Sequence, residues 1–475
     1  MYVYKKKGFW LGLLIFFIFI LNSPPNELTQ NAWFVAAIVS LMAVWWATEA
    51  IPVPVTALIP LALFPILGVT SFKEAALPYA NPNIYLFLGG FMLALAIEKS
   101  GLHKRMALHM IIASGSSGGK LIGSFMLVAA LISMFVMNTS TTLMLLPIGL
   151  AVCTVVSRTI PNLSEKDIKF FDTALMLGIA YAATIGGMST LVGTAPNIVF
   201  SAFMQETYNV EISMASWMSL GVPLASIMLF FAWIILTKYI FPIEFITTNE
   251  TKNYLKKMLE DLGPLSNDEL KITLVFALTA IAWITRSYLD NFISGLTDAG
   301  IAIIAAIILF IIPSDNKGEL LNWEKSKDLP WGLLILFGGG LSIASQINSS
   351  GLGLWIGETL NILSSVPPLF LILAVAALII FLTEITSNVA TTSTFLPVFG
   401  AVAVGLGILP VSLTVPVCLA ASCAFMLPVA TPPNAIVYGS GKFTIATMMK
   451  AGFALNIIGI FVVTIFAYFL APQIF

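Results

Sequence analysis

The feature that most restricts the fold is a polar cluster that occurs twice, each time inside a long apolar run. The first cluster occupies residues 133–142 within the apolar run 121–156, and the second occupies 383–392 within 366–406. Adding 250 to a residue number superposes four landmarks: Asn138 on Asn388, Gly89 on Gly339, Gly101 on Gly351 and Pro147 on Pro397. One register shared by four landmarks indicates two copies of a single unit.

Composition places the chain in a membrane. Of its 475 residues, 59% are hydrophobic and only 9% are charged, against about 25% in an average soluble domain. We therefore predict an all-α polytopic membrane protein. No basic cluster with interleaved aromatic residues suggests nucleic-acid binding. Three cysteines lie in apolar segments without metal-ligand spacing, and we expect buried free thiols at Cys153, Cys418 and Cys423.

About 20 apolar residues are needed to cross roughly 30 Å of hydrocarbon. This criterion predicts eleven transmembrane helices, in addition to the two runs above. Residues 9–21 count as the first of them, because Asn-Ser-Pro-Pro at 22–25 offers no signal-peptide cleavage site. The eleven are 9–21, 32–49, 52–69, 83–99, 171–203, 217–243, 272–293, 298–313, 331–348, 412–441 and 446–470.

Cytoplasmic loops retain Lys and Arg, which fixes the expected orientation. With a cytoplasmic N-terminus, only Lys73 and Arg286 of the 22 Lys and Arg residues fall near outer loops, and the C-terminus lies outside. Residues 1–30 then hold an N-terminal helix, 31–246 the first repeat, 247–271 a cytoplasmic linker and 272–475 the second repeat. The repeats are inverted with respect to each other. His103 and His109 fall in a cytoplasmic connection and are expected to be solvated.

The apolar runs that carry the polar clusters are predicted to be re-entrant helical hairpins. A single helix over 121–156 would be about 54 Å long, whereas two arms of roughly 14–17 residues are short for two crossings. A tip halfway across the bilayer must be buried in protein or line a wet cavity. Spans 171–203 and 412–441 are each expected to break at a proline motif, at 193–197 and 430–434. The alternative for each motif is a simple kink or a Ser/Thr patch between helices.

Such tips and breaks suit an anion together with cations. Unwound carbonyls and Ser, Thr and Asn oxygens are hard neutral ligands for Na⁺, and helix N-termini attract carboxylates. Neither tip and neither break contains Lys, Arg or His. A bound anion would therefore depend on co-bound cations, which is the physical basis of coupled transport.

These motifs resemble those of the divalent anion/sodium symporter family. The resemblance is carried by the two tips, by Gly-Thr-Ala-Pro-Asn at 193–197, by residues 421–437 and by Trp-Ala-Thr-Glu-Ala-Ile-Pro-Val-Pro-Val-Thr at 46–56, and it runs from about residue 30 to the end. It implies a homodimer in the bacterial inner membrane, with a scaffold domain and a transport domain that moves as an elevator. It also implies a carrier rather than an enzyme, with several Na⁺ transported per C4-dicarboxylate and no prosthetic group.

The same resemblance assigns roles to individual residues. One Na⁺ is expected near Ser133, Asn138 and Gly186, and another near Thr383, Thr386, Asn388 and Ala430. The substrate is expected against Asn138, Thr139, Gly187, Ser387, Asn388, Val389, Thr431 and Pro432. Two positions depart from the family's Ser-Asn-Thr pattern: Met137 replaces Ser in the first tip, and Val389 replaces Thr in the second.

The sequence leaves two questions open. The chain is either a Na⁺-driven dicarboxylate symporter or, as Met137 and Glu384 allow, a dicarboxylate exchanger or an H⁺-coupled carrier of divalent anions such as citrate or sulfate. Glu384 is either a coupling carboxylate or a structural group that binds neighbouring backbone. Glu49, at the end of a span, is expected to be an interfacial or capping residue.

Overall fold

The computed structural model describes residues 2–25, 27–113, 117–160, 163–246, 248–315, 318–359 and 365–475. Within these ranges the regular secondary structure is helical, apart from two isolated β-bridges. The fold is therefore all-α, as the sequence predicts.

Seven helices precede the first hairpin. Its helices are α1 (Tyr2–Leu21), α2 (Gln30–Thr48), α3 (Val53–Thr56), α4 (Ile59–Ile66), α5 (Phe72–Ala76), α6 (Pro82–Ser100) and α7 (Leu102–Ile112). The first hairpin and the first broken helix follow, as α8 (Gly118–Ser133), α9 (Asn138–Thr159), α10 (Glu165–Gly187), α11 (Ala195–Tyr208) and α12 (Met214–Ile234), and α12 continues as a π-helical turn over Ile235–Ile240.

A linker helix, α13 (Asn249–Glu260), precedes the second copy. This copy comprises α14 (Asn267–Leu289), α15 (Asp298–Ile311), α16 (Trp331–Ser349), α17 (Leu352–Thr359), α18 (Pro368–Thr383), α19 (Asn388–Gly405), α20 (Val411–Ala421), α21 (Pro432–Tyr438), α22 (Ile445–Phe469) and α23 (Ala471–Ile474). The order of long helix, short connecting helix, hairpin, broken helix and closing helix is the same in both copies.

The predicted spans correspond only in part to single long helices. In the described residues, nine helical segments are long and apolar enough to cross a membrane, and two of these are the second arms of the hairpins, α9 and α19. The predicted span 52–69 is divided into α3 and α4, and 298–313 is the 14-residue helix α15. Prolines explain the division, because Pro52, Pro54 and Pro60 lie at the two helix starts.

Close backbone contacts relate the two copies in space. A Cβ added to Gly89 of α6 would lie 2.6–2.7 Å from Ala302 of α15, and one added to Gly339 of α16 would lie 2.4–2.8 Å from Ala57 beside α3. The landmarks Gly101 and Gly351 both adopt positive φ, 78° and 83°, at the turn into the short connecting helix. The repeat read from the sequence is therefore also a repeat of conformation, since only glycine adopts such turns without strain.

Several boundaries differ from the sequence-based predictions. The hairpin arms have 16 and 22 residues in the first copy and 16 and 18 in the second, so the second arms are longer than predicted. The linker contains the helix α13, and α14 begins at Asn267, inside the range assigned to the linker, whose first residue 247 lies outside the described residues. His103 is buried rather than solvated, because α7 turns it inward to within 3.1 Å of the Ile97 carbonyl.

Candidate functional site

Each hairpin reverses in a turn of four residues, and the second arm begins at an asparagine. The turns are 134–137 and 384–387, and Asn138 and Asn388 are the first residues of α9 and α19. The preceding residues, Met137 and Ser387, form no side-chain cap. The first backbone N–H groups of both helices are therefore left to bind water or a ligand.

The two asparagine side chains are oriented by the same contacts in both copies. Ser133 Oγ donates to Asn138 Oδ1 at 2.5 Å, and Thr383 Oγ1 donates to Asn388 Oδ1 at 2.9 Å. Within the described chain, neither Asn138 Nδ2 nor Asn388 Nδ2 donates to a protein acceptor. Each tip thus holds its amide oxygen towards a buried hydroxyl and leaves the amide NH₂ free to donate to an anion.

Asparagines also close the two helix breaks. The first break separates α10 from α11, and Asn197 Nδ2 donates across it to the carbonyls of Gly187 (3.1 Å) and Thr190 (2.7 Å). The second separates α20 from α21, and Asn434 Nδ2 donates to those of Ala424 and Leu427, both at 3.0 Å. In each copy the acceptors lie ten and seven residues before the asparagine. At each proline motif the helix is therefore fully interrupted, and the asparagine side chain bridges the interruption. The motifs are not simple kinks.

The tips and breaks surround one cavity of about 640 Å³. The residues that precede four helices line it: Met137, Thr194, Ser387 and Thr431, before α9, α11, α19 and α21. Of these four, only Thr431 caps its own helix, accepting from the Asn434 N–H at 3.3 Å. No Lys, Arg or His occurs among the described lining residues. Attraction for an anion would therefore have to come from backbone and amide groups.

Most of the substrate-binding residues predicted from the sequence are brought together here. The cavity wall includes Asn138, Thr139, Ser387, Asn388, Val389, Thr431 and Pro432, and also Thr386 and Ala430 from the second predicted cation site. Ser133 and Thr383 are fully buried, behind the asparagines. Gly187 faces Asn138, since a Cβ added there would lie 2.6 Å from Oδ1, whereas Gly186 packs on the backbone of Ala130 in α8.

Neutral oxygens gather behind each tip, but not equally. Thr383 Oγ1 lies 2.9 Å from both Asn388 Oδ1 and the Ala421 carbonyl. Behind the first tip, Ser133 Oγ lies 2.5 Å from Asn138 Oδ1 and 3.5 Å from the Val136 carbonyl. The side chain of Met137 contributes no oxygen there. Both sets have the hard, uncharged character that suits Na⁺, and the second offers more close oxygens.

Glu384 is a structural carboxylate of the second tip. It accepts four hydrogen bonds, from the backbone N–H groups of Phe425 (2.8 Å), Met426 (2.9 Å) and Leu427 (3.0 Å) and from Asn456 Nδ2 (2.7 Å). These donors include three of the N–H groups freed where α20 ends. The position 250 residues earlier is Met134, whose carbonyl accepts from the Thr190 hydroxyl. The two tips are therefore held by different groups: the second by a carboxylate and the first by a backbone carbonyl.

The opposite wall of the cavity was not assigned from the sequence. It consists of residues 47–49 at the end of α2, Phe87 and Phe91 of α6, and Leu333 of α16. Glu49 is the C-cap of α2, in the left-handed conformation with φ 45°, as its expected capping role requires. In the sequence, the motif at 46–56 pointed to this region, but it did not indicate which residues would face the site.

Two hairpin tips and two broken helices around one cavity, in a multi-span helical protein, define a secondary transporter assembled from internal repeats. Residues 6–472 match the family model described as the sodium:sulfate symporter transmembrane region, and the chain belongs to that family. It is accordingly a membrane transporter rather than an enzyme.

Two curated relatives are similar over nearly the whole chain. A protein named sodium-dependent dicarboxylate transporter SdcS from Staphylococcus saprophyticus is 41% identical over 474 residues, covering 98% of this chain and 91% of the relative. The protein of the same name from Staphylococcus aureus (strain USA300) is 39% identical over 472 residues, with the same coverage.

Two solved structures share the fold at low sequence identity. The YdaH transporter of Alcanivorax borkumensis is 16% identical with a TM-score of 0.59, and the alignment covers 92% of this chain and 96% of that one. MtrF of Neisseria gonorrhoeae is 11% identical with a TM-score of 0.59, covering 94% and 96%. These two structures support the fold, and the match to the family model and the two curated relatives confirm the expected transporter class.

Proposed function

We propose that this protein couples inward Na⁺ flow to the uptake of C4-dicarboxylates such as succinate, malate or fumarate. The observation that carries the proposal is the convergence of helix N-termini from both copies on one cavity whose described lining contains no basic side chain. A dianion fits such a site because free N–H groups and helix dipoles stabilise it without a fixed cation.

The amide groups provide specificity for two carboxylates. Asn138 with Thr139, and Ser387 with Asn388, present donors on the two tips, one for each end of a short dicarboxylate. Thr431 and Pro432 close the side of the site, and Val389 makes one wall apolar. The relatives' printed name, sodium-dependent dicarboxylate transporter, supports the same substrate class.

Sodium ions would bind behind the tips and make the site attractive to an anion. The proposed first site uses Ser133, Asn138 and Gly186, and the second uses Thr383, Thr386, Asn388 and Ala430. Because Asn138 and Asn388 contribute their oxygen to the cation and their NH₂ to the anion, each ligand favours the other. This shared use of one side chain is the proposed origin of coupling.

The two repeats would together build a scaffold domain and a transport domain. In this proposal the hairpins, the broken helices and α12 and α22 move as an elevator against the remaining helices, which form the homodimer contact. The protein would lie in the bacterial inner membrane with the N-terminus in the cytoplasm and the C-terminus outside. The lysines of the linker at 247–271 would lie on the cytoplasmic side.

Exchange or H⁺ coupling is the second candidate, and Met137 favours it, because it removes a hydroxyl from the first cation site. Uptake of labelled succinate into proteoliposomes separates the candidates. Symport predicts strong stimulation by an inward Na⁺ gradient, whereas exchange predicts stimulation by internal succinate and little effect of Na⁺. A response to an imposed pH gradient alone would favour H⁺ coupling.

The proposed site is tested by replacing the shared amides. Asn138→Ala and Asn388→Ala should each lower succinate uptake by about 10- to 100-fold, because each removes a donor to a charged group worth about 1.5–3 kcal/mol. Ser157→Ala, an exposed position later in α9, is the control for helix substitution. Near-normal uptake by either asparagine variant, in protein that is correctly folded, would rule out the proposed site.

A further inference from the structure

The closing helices α12 and α22 pack on equivalent carbonyls of the two breaks. A Cβ added to Gly221 of α12 would lie 2.7 Å from the Met188 carbonyl oxygen in the first break. One added to Gly452 of α22 would clash in the same way with the Phe425 carbonyl in the second break. Met188 and Phe425 each lie nine residues before the bridging asparagine of their break. The two carbonyls therefore occupy the same position in the two copies.

Different donors satisfy these two carbonyls. The Met188 carbonyl accepts from Trp217 Nε1 at 3.0 Å, and Trp217 lies in α12, four residues before the glycine that packs there. The same position of α22 is Met448, whose side chain has no N–H or O–H group. The Phe425 carbonyl accepts instead from Tyr181 Oη of α10 at 2.7 Å, and this hydroxyl also lies 3.4 Å from the Met448 carbonyl. A fully buried residue of the first copy therefore completes the second break.

A contact in the opposite direction comes from the equivalent position of the second copy. The bridging asparagines, Asn197 and Asn434, differ by 237 in residue number, and adding 237 to Tyr181 gives Cys418 of α20. Cys418 Sγ lies 3.6 Å from Asn197 Oδ1, and both residues are fully buried. A thiol is a weak donor, so this contact is the weaker of the two. Each break thus receives one side chain from the other copy.

The Tyr181 contact joins the two proposed Na⁺ sites. At one end, Tyr181 lies five residues before Gly186 on the same helix, about 7.5 Å along its axis. At the other end, the Phe425 N–H donates to Glu384 at 2.8 Å, and Glu384 directly follows Thr383 in the chain. A shift at the end of α10 would therefore be felt behind the second tip.

The Cys418 contact joins the same two sites. Cys418 lies three residues before Ala421, whose carbonyl accepts from the Thr383 hydroxyl at 2.9 Å. At its other end, Asn197 Nδ2 donates to the Gly187 carbonyl at 3.1 Å, and Gly187 directly follows the glycine of the proposed first site. The two breaks are therefore connected twice, through equivalent positions of the two copies.

We propose that Tyr181 and Cys418 are positioning residues that make Na⁺ binding at the two sites cooperative. An ion behind one tip fixes the adjacent break, and the contacts between the copies then hold the other break in the form that binds the next ion. This inference rests on the proposed Na⁺-coupled function. Transmission follows from burial, because separating the breaks leaves a buried carbonyl without a donor. By linkage, each ion raises the affinity for the other by the same factor.

The Na⁺ dependence of succinate uptake tests the proposal. The parent protein should show a Hill coefficient for Na⁺ of about 2, and Tyr181→Phe should lower it towards 1 and raise the half-saturating Na⁺ concentration about fivefold, with the rate at saturating Na⁺ within about twofold of the parent's. Cys418→Ala should lower the coefficient less. The control Tyr79→Phe removes a hydroxyl that donates to the Ala57 carbonyl in the proposed scaffold, and it should keep the parent's coefficient. A coefficient of about 1 in the parent, or an unchanged one in Tyr181→Phe, would overturn the proposal.

A second substitution separates cooperativity from simple satisfaction of a buried carbonyl. Met448→Gln places an amide donor at the position that Trp217 occupies in the first copy. In Tyr181→Phe with Met448→Gln, the unfolding temperature should recover, because the Phe425 carbonyl regains a donor, while the Hill coefficient should stay low, because the donor now belongs to the same copy. A coefficient that recovers together with the unfolding temperature would overturn the proposal.

The native cysteines give a readout that needs neither Na⁺ nor succinate. Cys423 is buried in the second break, so its alkylation in membranes reports opening of that break, and Cys153, buried in α9, reports general unfolding. Trp217→Phe removes the donor to the Met188 carbonyl in the first break. It should raise the alkylation rate of Cys423, relative to that of Cys153, about fivefold in the parent background and less than about twofold in Tyr181→Phe. Tandem mass spectrometry assigns the modified residue.

These outcomes separate this inference from the proposed function. If Cys423 responds through Tyr181 but uptake does not depend on Na⁺, the connection between the breaks stands and the proposed Na⁺ coupling fails. If uptake depends on Na⁺ while Tyr181→Phe changes neither the Hill coefficient nor the response of Cys423, the coupling stands and this inference is wrong. An unchanged Cys423 rate in Trp217→Phe would overturn the connection whatever ion is transported.

Discussion

Replacing Glu384 by Gln should destabilise the second helix break while leaving the rest of the fold in place. The carboxylate accepts from Phe425, Met426 and Asn456 through Oε1 and from Leu427 through Oε2. In Glu384→Gln, a carbonyl oxygen at the Oε1 position keeps three donors, but an NH₂ group then faces the Leu427 N–H. One backbone donor loses its acceptor, and three charge-assisted bonds become neutral ones.

The magnitude follows from these contacts. A buried donor left without a partner costs about 1–3 kcal/mol, and each of the three remaining bonds weakens by about 1 kcal/mol. The total loss is about 4–6 kcal/mol. At about 2 °C per kcal/mol, the apparent unfolding temperature should fall by roughly 8–12 °C. Substrate affinity should fall as well, because Ala430 and Thr431 lie only three and four residues after Leu427.

The assay is thermal unfolding of the purified protein in detergent, with and without Na⁺ and succinate. Met134→Leu is the matched control, since it changes the same position of the first hairpin and substitutes one apolar side chain for another at a cost below about 1.5 kcal/mol. If Glu384→Gln unfolds within about 2 °C of the parent protein and shows an unchanged shift with succinate, the carboxylate does not hold the break.

Three further outcomes are expected. Gly187→Ala should weaken succinate binding about tenfold, because the added Cβ would lie 2.6 Å from Asn138 Oδ1. The control Gly119→Ala, whose Cβ would have no atom nearer than 3.9 Å, should leave succinate binding unchanged in the same assay. Burial lowers the pKa of His103, so the stability contributed by its neutral form is complete above pH about 6.5 and is lost as the pH falls. The unfolding temperature of His103→Gln should therefore change less between pH 7.5 and 5.5 than that of the parent protein, whereas that of the exposed His109→Gln should change as much as the parent's. Equal changes in His103→Gln and the parent protein would contradict this. Val389→Thr adds a hydroxyl to the cavity wall and should change competition among succinate, malate, citrate and sulfate by up to about tenfold; an unchanged profile would argue against contact with the solute.

Much of this architecture followed from the sequence because the membrane restricts it so strongly. An apolar run that is too long to cross once, with Asn138 at its centre, has few solutions other than a reversed helix. The 250-residue register then placed Asn388 in the same role. The transporter class and the all-α fold were confirmed, while the assignment of Na⁺ and substrate to individual residues stays a prediction.

Other features could not be read from the chain because they depend on contacts between distant segments. The bridging roles of Asn197 and Asn434 depend on carbonyls that only a broken helix leaves free. The burial of His103 depends on α7, a short connecting helix with no spanning run to reveal it. Phe87 and Leu333 look like ordinary membrane residues until the fold turns them towards the cavity.

The depth of Ser133 and Thr383 has a consequence for timing. Both hydroxyls are fully buried behind the asparagine amides that face the cavity, so ions bound at the proposed sites would lie further from the cavity than the solute. Through a single opening, ions at these deeper proposed sites would bind before the solute and leave after it. The bound dicarboxylate would then block the release of the ions, and at high internal concentrations it should slow the release of Na⁺ into the cell.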